Sequence, residues 1–150
     1  MVERTLILVK PDGVQRALVG EIIARFERRG LQIAALKFLS VSNALAEQHY
    51  QEHAGKPFFR SLVDYITSCP IVAMVVEGPK AIDVCRAAIG ATDPLAATPG
   101  SIRGDYGATI GRNLVHGSDG PQAAAREIEL FFSPSELHQY DRSLTRWIAE

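Results

Sequence analysis

The sequence predicts an α/β fold in which strands and helices alternate along one chain. Short apolar runs rich in β-branched residues have the length of buried strands. Between them lie segments whose apolar residues recur at helical spacing, and turn or helix-stop residues separate the two kinds of segment. Because 150 residues suit a single folding unit, we expect one domain over residues 1–150. This pattern leaves the order of the strands open.

The first part of the chain predicts a strand, a helix and a second strand. Residues 5–9 (Thr-Leu-Ile-Leu-Val) form a continuous apolar run, and Pro-Asp-Gly at 11–13 predicts a sharp turn after it. From 19 to 29 the apolar residues follow helical spacing, and Gly30 stands at the position where helices often end. Residues 31–41 return to strand character.

The middle of the chain predicts two helices followed by the most strand-like segment. Ser42 is suited to cap a helix over 44–53. A second helix is predicted over 58–68, where Pro70 ends it. Residues 71–76 (Ile-Val-Ala-Met-Val-Val) then form an apolar run with strong strand propensity.

The second half predicts helices at both ends of a long connection. Residues 80–89 are predicted to be helical, and 91–107 to be a long irregular loop because of their prolines and glycines. Loops of that length inside a domain are often functional. A last strand is predicted around 113–116, a helix over 122–132, and one helical turn at 133–136.

The composition limits the possible functions. A hydrophobic content of 47%, a charged content of 22% and a formal net charge of −1 are typical of a globular protein without general affinity for nucleic acid or anionic membranes. No apolar stretch reaches the roughly 18–20 residues of a membrane span, and the N-terminal residues lack a signal-peptide pattern. We therefore expect a cytoplasmic protein, with Cys69 and Cys85 as reduced thiols.

His116 is the residue whose surroundings most favour catalysis. It follows an apolar segment and precedes the small or polar residues at 117–119, which places its imidazole at a strand end. Most isolated histidines are structural, but Ser118 offers a hydrogen bond nearby, and Glu127 on the following helix can orient the ring. A neutral imidazole has a free lone pair near pH 7 and can carry a group covalently.

The sequence contains none of the glycine-rich loops that commonly bind phosphates. There is no G-x-x-x-x-G-K-[ST] motif, and Gly104-Asp-Tyr-Gly107 is not a dinucleotide fingerprint. Side chains must therefore neutralise any bound phosphate. The candidates are Lys10 at the end of the first strand, Arg86 on a helix and Arg103 in the long loop, although each by itself is more often a solvated residue.

These motifs resemble those of the nucleoside diphosphate kinases over essentially the whole chain. The resemblance is most specific at Gly111-Arg-Asn-Leu-Val-His-Gly-Ser-Asp119, the signature around the family's catalytic histidine. Further matching segments follow in the family's order: Glu3-Arg-Thr5, Lys10-Pro-Asp-Gly-Val-Gln-Arg16, Leu18-Val-Gly-Glu-Ile-Ile23, His49-Tyr50, Pro57-Phe-Phe59 and Pro99-Gly-Ser-Ile-Arg-Gly-Asp105. A series of specific motifs in one order is not expected by chance.

The resemblance implies a ferredoxin-like fold, in which helices cover a four-stranded antiparallel sheet. It also implies an enzyme that transfers the γ-phosphoryl group of a nucleoside triphosphate to a nucleoside diphosphate through a phosphohistidine on His116, with ping-pong kinetics. Mg²⁺ is the expected cofactor, held mainly by nucleotide phosphates and water, so no metal-ligating residue is predicted. A homo-oligomer is implied as well. The chain end through Trp147 favours a hexamer, with a tetramer as the alternative.

The resemblance assigns roles to further residues, position by position. Lys10 and Asn113 correspond to the residues that hold the sugar 3′-hydroxyl, and Lys10 also reaches the phosphates. Ser118 and Glu127 correspond to the pair that positions the histidine, and Tyr50 to the aromatic residue near the transferred group. The remaining nucleotide-binding positions are the phosphate ligands Arg86, Thr92 and Arg103 and the base-binding residues Phe58, Leu62 and Ile110.

Two positions depart from the family's pattern. Asp93 replaces the asparagine that usually precedes Pro94, and its charge beside Thr92 is expected to weaken phosphate binding slightly. Ser101 replaces the usual threonine and keeps the hydroxyl. Neither residue takes part in the chemistry, so activity is still expected.

Phe58 predicts broad substrate tolerance, because a stacked ring contacts any base and reads no hydrogen-bonding edge. We expect purines, pyrimidines, ribose and deoxyribose all to be accepted. The other histidines, His49, His53 and His138, have no partners at metal-ligand spacing and are expected to have surface or helix-packing roles.

Two other functional classes remain open from the sequence. A histidine phosphorelay protein would keep a phosphorylatable histidine and pass the phosphate to a protein, although the strand-rich pattern argues against a helical relay. A nucleotide-binding or nucleic-acid-binding module without catalysis would be expected to show a basic patch, and the composition shows none.

Overall fold

The most apolar runs of the sequence form the two central strands of a four-stranded sheet. In the computed structural model, which describes residues 2–150, these strands are β1 (Val2–Val9) and β3 (Ile71–Pro79). The shorter β4 (Val115–Gly117) pairs with β1, and β2 (Gln32–Leu39) pairs with β3. The order is β2-β3-β1-β4, and all neighbouring strands are antiparallel. This order confirms the α/β class and the ferredoxin-like, four-stranded antiparallel sheet.

Helices cover both faces of this sheet. They are α1 (Pro11–Gln15), α2 (Val19–Arg28), α3 (Asn43–His49), α4 (Phe59–Ile66), α5 (Ala81–Ile89), α6 (Ile102–Tyr106), α7 (Pro121–Phe131) and α8 (Thr145–Ile148). Short 3₁₀ helices lie at Gln51–His53, Pro94–Ala96 and Pro134–Glu136. Among residues 2–150, no helix combines the length and apolarity that a membrane crossing requires.

Each face of the sheet has its own hydrophobic core, and β1 contributes to both. Ile7 and Val9 pack on the face covered by α2 and α5, whereas Leu6 and Leu8 pack on the face covered by α3, α4 and α7. Successive side chains of a strand point to opposite faces, so a strand buried on both faces needs a continuous apolar run. This explains why the run at 5–9 shows no alternation.

Three helices lie where the sequence predicted none. Pro-Asp-Gly begins α1 instead of forming only a turn, because proline suits the first helical position and Asp12 lies in the first turn. The predicted loop 91–107 contains α6, which Ser101 caps by accepting a hydrogen bond from Gly104 N over 3.1 Å. The short α8 near the C-terminus was also not predicted.

The other predicted elements exist, with corrected bounds. Ser42 caps α3 as expected, accepting from Leu45 N over 3.1 Å, but the helix predicted to reach residue 53 ends at His49 and continues only as a 3₁₀ turn. The predicted strand 113–116 begins later, at Val115, because Leu114 has a positive φ of 73° that interrupts extended backbone.

Candidate active site

A cavity of about 250 Å³ lies beside β4 and the C-terminal end of β1. Its lining includes the predicted residues Lys10, Tyr50, Arg86, Thr92, Arg103, Asn113, His116 and Glu127. These residues come from both halves of the chain, so folding brings together most of the predicted site. A wider apolar groove of about 720 Å³, between the start of β1 and α7, has no histidine in its lining.

His116 lies on β4 and contacts Glu127 of α7. Its Nε2 is 3.0 Å from Glu127 Oε1, and the buried Ser118 hydroxyl donates to the same oxygen over 2.6 Å. Burial raises the pKa of Glu127, but the hydrogen bonds from His116 and Ser118 outweigh burial and hold that pKa at about 2. The ionised carboxylate can only accept, so His116 Nε2 carries the donated proton. In the neutral ring, the lone pair is therefore on Nδ1.

The chain reaches His116 through a strained turn at Leu114. This buried residue has a φ of 73°, a left-handed conformation that non-glycine residues rarely adopt. Val115 N donates to the carbonyl of Asn113 over 2.8 Å, which closes a γ-turn centred on Leu114. Such a conformation costs on the order of 1–3 kcal/mol and persists only where surrounding contacts hold it.

Arg103 holds this γ-turn from both ends. Its Nε donates to Asn113 O over 3.1 Å and its Nη2 to Val115 O over 2.6 Å, while Nη1 donates to Gly90 O over 3.2 Å. Burial, followed by the charge of Arg86, lowers the pKa of Arg103 to about 10, so it remains a cation at neutral pH. Arg103 was predicted as a loop residue, but it lies on α6, and three of its guanidinium N–H groups donate to backbone carbonyls.

Asp12 provides a second set of contacts to the same turn. Its Oδ2 accepts from Leu114 N over 3.0 Å, and its Oδ1 accepts from the Tyr65 hydroxyl. Burial, together with this hydrogen bond, raises the pKa of Tyr65 above its usual range. The Arg112 guanidinium lies 4.4 Å from the centroid of the Tyr65 ring. Lys10 N completes the set by donating to Leu114 O over 2.9 Å.

Lys10 and Asn113 are hydrogen-bonded to each other inside the cavity. Lys10 Nζ donates to Asn113 Oδ1 over 2.5 Å, and Asn113 Nδ2 donates to Thr92 O over 2.9 Å. Burial, followed by the positive charge of Arg103, lowers the pKa of Lys10 to about 8. Lys10 is therefore charged at neutral pH but loses its charge at a lower pH than an ordinary lysine.

Arg86 forms an ion pair with Asp119 at the cavity. Arg86 Nη1 lies 2.7 Å from Asp119 Oδ1, and both side chains are exposed. Exposed ion pairs contribute only about 0–1 kcal/mol. A bound anion can therefore replace Asp119 as the partner of Arg86 at small cost.

His49 lines the cavity, although the sequence predicted no role for it there. Predicted to have a surface or helix-packing role, it lies buried in the cavity wall. Its ring centroid is 4.9 Å from that of His116 and 4.7 Å from that of Tyr50, both in edge-to-face arrangements. Burial, followed by the charge of His116, lowers the pKa of His49 to about 3. The sequence carries no spacing signal for this contact, because α3 and β4 lie in different halves of the chain.

The family model for nucleoside diphosphate kinase matches residues 3–137. The chain is 61% identical to the nucleoside diphosphate kinase of Pelotomaculum thermopropionicum over 148 residues, which is 99% of each chain. It is 59% identical to that of Archaeoglobus fulgidus over 148 residues, or 99% of this chain and 98% of the relative. The chain belongs to the nucleoside diphosphate kinase family. It is therefore a phosphotransferase that acts between nucleoside triphosphates and nucleoside diphosphates, as predicted.

Solved structures of nucleoside diphosphate kinases share this fold. The halophilic nucleoside diphosphate kinase from Halobacterium salinarum, determined in complex with CDP, matches with a TM-score of 0.97 and 50% identity, and the match covers 100% of both chains. A family protein from Babesia bovis matches with a TM-score of 0.96 and 47% identity over 98% of this chain and 99% of that chain. The two alternatives from the sequence, a phosphorelay protein and a non-catalytic binding module, lose their support.

The residues expected to bind the base in a nucleoside diphosphate kinase lie outside the cavity lining. Phe58 precedes α4 and is 46% exposed as a residue. The centroid of its ring lies 5.3 Å from that of His53, which lines the cavity. Leu62 is half-buried on α4, and Ile110 is exposed. The structure thus connects Phe58 to the cavity through His53 and leaves its ring accessible.

Both departures from the nucleoside diphosphate kinase pattern act as helix caps. Asp93 Oδ1 accepts from Leu95 N over 3.0 Å at the start of the 3₁₀ helix, and Ser101 caps α6. Neither residue is part of the cavity lining. The carboxylate of Asp93 thus has a local structural partner beside Thr92.

Replacing Asp12 with alanine should destabilise the protein, because the buried Leu114 N–H loses its acceptor. The expected loss in free energy of unfolding is about 1–3 kcal/mol, and Tyr65→Phe, which leaves the hydrogen bond from Leu114 N to Asp12 in place, should lose about 0.5–1.5 kcal/mol. Urea unfolding at fixed protein concentration measures both. Asp64→Ala removes an exposed carboxylate from α4 and should change stability by less than about 0.5 kcal/mol. Equal effects at positions 12 and 64 would contradict the role of Asp12.

Proposed function

We propose that the chain transfers phosphoryl groups by a ping-pong mechanism through a phosphohistidine on His116. In the first half-reaction, Nδ1 attacks the γ-phosphorus of a nucleoside triphosphate, the bond to the β-phosphate oxygen breaks, and the diphosphate leaves. In the second, a β-phosphate oxygen of another diphosphate attacks the same phosphorus and the N–P bond breaks. The observation that carries this proposal is the hydrogen bond from His116 Nε2 to Glu127, which leaves Nδ1 unprotonated in a cation-lined cavity.

The cavity cations supply the charge that the reaction requires. Phosphoryl transfer depends mainly on positioning and on stabilising negative charge. We assign phosphate contacts to Lys10, Arg86 and Arg103, with Thr92 beside them. Arg103 suits this role despite its backbone contacts, because a guanidinium has five N–H donors and its three hydrogen bonds here leave others for phosphate.

The remaining site residues receive positioning roles in this proposal. Asn113 and Lys10, already joined by a hydrogen bond, would hold the sugar 3′-hydroxyl. Ser118 and Glu127 keep the imidazole in one orientation and one tautomer. Tyr50 lies in the cavity wall next to His49, where burial raises the pKa of its hydroxyl to about 12, so Tyr50 is a neutral hydrogen-bonding group near the transferred phosphate.

Broad base tolerance follows from the way the base would be held. We infer that Phe58 stacks on the base, with Leu62 and Ile110 contacting it from the sides. Stacking contributes about 1–3 kcal/mol per base and is tolerant of base identity. These three side chains offer no hydrogen-bonding group to a base edge, so purines and pyrimidines should both be accepted, with ribose or deoxyribose.

Mg²⁺ is expected to enter with the nucleotide. This ion prefers oxygen ligands and commonly keeps several waters while binding substrate phosphates. Among the described residues that line the cavity, each carboxylate has one oxygen in contact with a basic side chain: Glu52 lies near His53, Asp119 is paired with Arg86, and Glu127 Oε1 with His116. The residues therefore suit an ion held by nucleotide phosphates and water, where it would neutralise charge on the phosphate oxygens.

We also propose that residues 1–150 act as one catalytic unit in the cytoplasm. Residues from Lys10 to Glu127 line the cavity, so the proposed site draws on most of the chain. Cys69 and Cys85 are free thiols, and burial raises the pKa of Cys85 to about 12, which keeps it protonated and unreactive. Free thiols are typical of proteins in reducing compartments.

Replacing His116 with alanine should abolish GTP formation from ATP and GDP, because the other described side chain hydrogen-bonded to Glu127, Ser118, is fully buried and cannot replace His116 as the phosphoryl acceptor. Wild-type protein incubated with Mg-ATP should form an acid-labile, base-stable phosphate, and the variant should form none while still binding nucleotide. His138→Ala is the matched control and should retain wild-type turnover. Parallel rather than intersecting initial-velocity plots are expected. A wild type that forms no phosphohistidine would refute the mechanism.

The kcat/KM value for the diphosphate should decline as pH rises through about 8, by up to about tenfold per pH unit. A lysine with a lowered pKa is charged below that pKa and neutral above it, and neutral Lys10 no longer attracts phosphate. Lys10→Arg keeps its charge throughout this range. Its normalised pH profile should stay flat to about pH 10, and a wild-type profile that is equally flat would contradict the assignment.

The chain should form a homo-oligomer. β2 is an edge strand of the sheet, and it exposes Leu36 and Phe38, which are 50% and 64% exposed. Unprotected apolar edge strands tend to pair with another chain. Light scattering should give a multiple of the 16.4 kDa chain mass, with six chains favoured by the family resemblance and four as the alternative. A mass equal to one chain would contradict this proposal.

A further inference from the structure

Three side chains with metal-ligating atoms meet at the wall of the cavity. They are His49 of α3, His116 of β4 and Glu127 of α7, and one ligand atom from each lies within 4.8 Å of the other two. The proposed phosphoryl transfer uses His116 and Glu127 but gives no chemical role to the imidazole of His49. The three residues come from three separate elements, so the cluster exists only in the folded protein.

Two of these side chains have coordinating atoms that the protein does not use. His49 Nδ1 is buried and has no hydrogen-bond partner, and the residue as a whole is only 4% exposed. A buried polar atom without a partner costs about 1–3 kcal/mol, which coordination to an ion would offset. Both hydrogen bonds to Glu127 end on Oε1, and none to Oε2 is found in the part of the chain that the structure describes.

We propose that His49, His116 and Glu127 form a binding site for a first-row transition-metal ion of the Zn²⁺ class. Two imidazoles and one carboxylate are a common set of zinc ligands, with a fourth position left for water. Metal–ligand bonds of about 2.0–2.2 Å place tetrahedral ligand atoms about 3.4 Å apart. Shifts of about 1 Å in the side chains bring the present cluster to that spacing. The cavity of about 250 Å³ next to it provides an entry path.

This ion is chemically distinct from the Mg²⁺ that accompanies the nucleotide. Mg²⁺ binds oxygen ligands and keeps its waters, whereas imidazole nitrogen favours Zn²⁺, Cu²⁺ and Ni²⁺. Two of the three ligands here are imidazoles, so the cluster selects against Mg²⁺. The two ions can therefore be present in the same solution without competing for the same ligands.

Occupation of this cluster blocks phosphoryl transfer, a consequence that rests on the proposed function. An ion on Nδ1 of His116 takes the lone pair that attacks phosphorus. An ion on Nε2 displaces its proton to solvent and removes the hydrogen bond to Glu127, and its positive charge makes Nδ1 a weaker nucleophile. Conversely, a phosphoryl group on His116 removes this imidazole from the ligand set, so phosphorylation should weaken metal binding.

The binding test uses the full-length protein without nucleotide or Mg²⁺. Co²⁺ serves as a spectroscopic probe, and Zn²⁺ affinity is measured by competition with a chromogenic chelator. Wild type should bind one ion per chain with the intense visible absorption of tetrahedral Co²⁺. His49→Gln and Glu127→Gln should each weaken binding by at least tenfold, whereas His53→Gln, a cavity histidine outside the cluster, should bind as wild type does.

Alternative results of this binding test are decisive. Wild-type affinity in His49→Gln would overturn the proposal, as would equal loss of binding in His53→Gln. If His49→Gln fails to fold by circular dichroism, His116→Ala tests the same cluster, because that side chain is 26% exposed and its loss leaves the core intact. Retained tetrahedral Co²⁺ binding in His116→Ala would also overturn the site.

The inhibition test measures GTP formation with Mg-nucleotides in excess over added Zn²⁺. The rate of each protein is expressed relative to its own rate without Zn²⁺. Zn²⁺ should inhibit wild type, and the half-inhibitory Zn²⁺ concentration should be at least tenfold higher for His49→Gln. Protein phosphorylated with ATP and freed of nucleotide should lose the Co²⁺ spectrum. A further outcome is that the variants weaken Co²⁺ binding as expected while phosphorylation leaves the Co²⁺ spectrum unchanged. That result would support the metal site and contradict the phosphohistidine on His116. Equal inhibition of both proteins by Zn²⁺ would overturn the inhibitory role.

Discussion

The strained γ-turn at Leu114 is the constraint on which the geometry of the site depends. Its positive φ turns the chain sharply before β4, so that Asn113 lies in the cavity and His116 pairs with Leu8 of β1. The strain is tolerable because contacts from three elements fix it: Arg103 of α6, Asp12 of α1 and the backbone at the end of β1. Strained backbone at an active site requires this kind of over-determination. Here the same contacts also place cations next to the histidine.

Cations that repel one another line the proposed phosphate site. The chain has a formal net charge of −1, yet Lys10, Arg86 and Arg103 line one small cavity. Arg103 lowers the pKa of Lys10, and Arg86 lowers that of Arg103, in both cases after the larger effect of burial. A polyphosphate bound as proposed would relieve this repulsion, because the cationic side chains are already positioned around the cavity. Preorganised charge of this kind requires little rearrangement during the reaction, and side chains can thus replace a glycine-rich phosphate loop.

The sequence predicted the elements better than the contacts between them. The apolar run at 5–9 and the helical spacing at 19–29 gave correct elements, because burial on each face dictates periodicity. Pro-Asp-Gly was ambiguous, since the same residues suit a turn and the first turn of a helix, and α1 was missed. The sheet order came only from family resemblance. Folding brings His49 next to His116 and Arg103 next to the backbone that it binds. No local sequence pattern predicts either contact.

Glu127 shows why the geometry that suits the proposed phosphoryl transfer also suits a transition-metal ion. Its ionised carboxylate keeps His116 in the tautomer with a free Nδ1 lone pair, and Ser118 keeps the carboxylate in place. A neutral imidazole beside a carboxylate, in a cavity that admits ions, has the donor set that transition metals prefer. Burying His49 against His116 adds a second imidazole to this set. Selectivity for Mg-nucleotide over such ions therefore cannot come from His116 and Glu127. In the proposed mechanism it comes from Lys10, Arg86 and Arg103, whose positive charge favours an anionic Mg-polyphosphate over a free divalent ion.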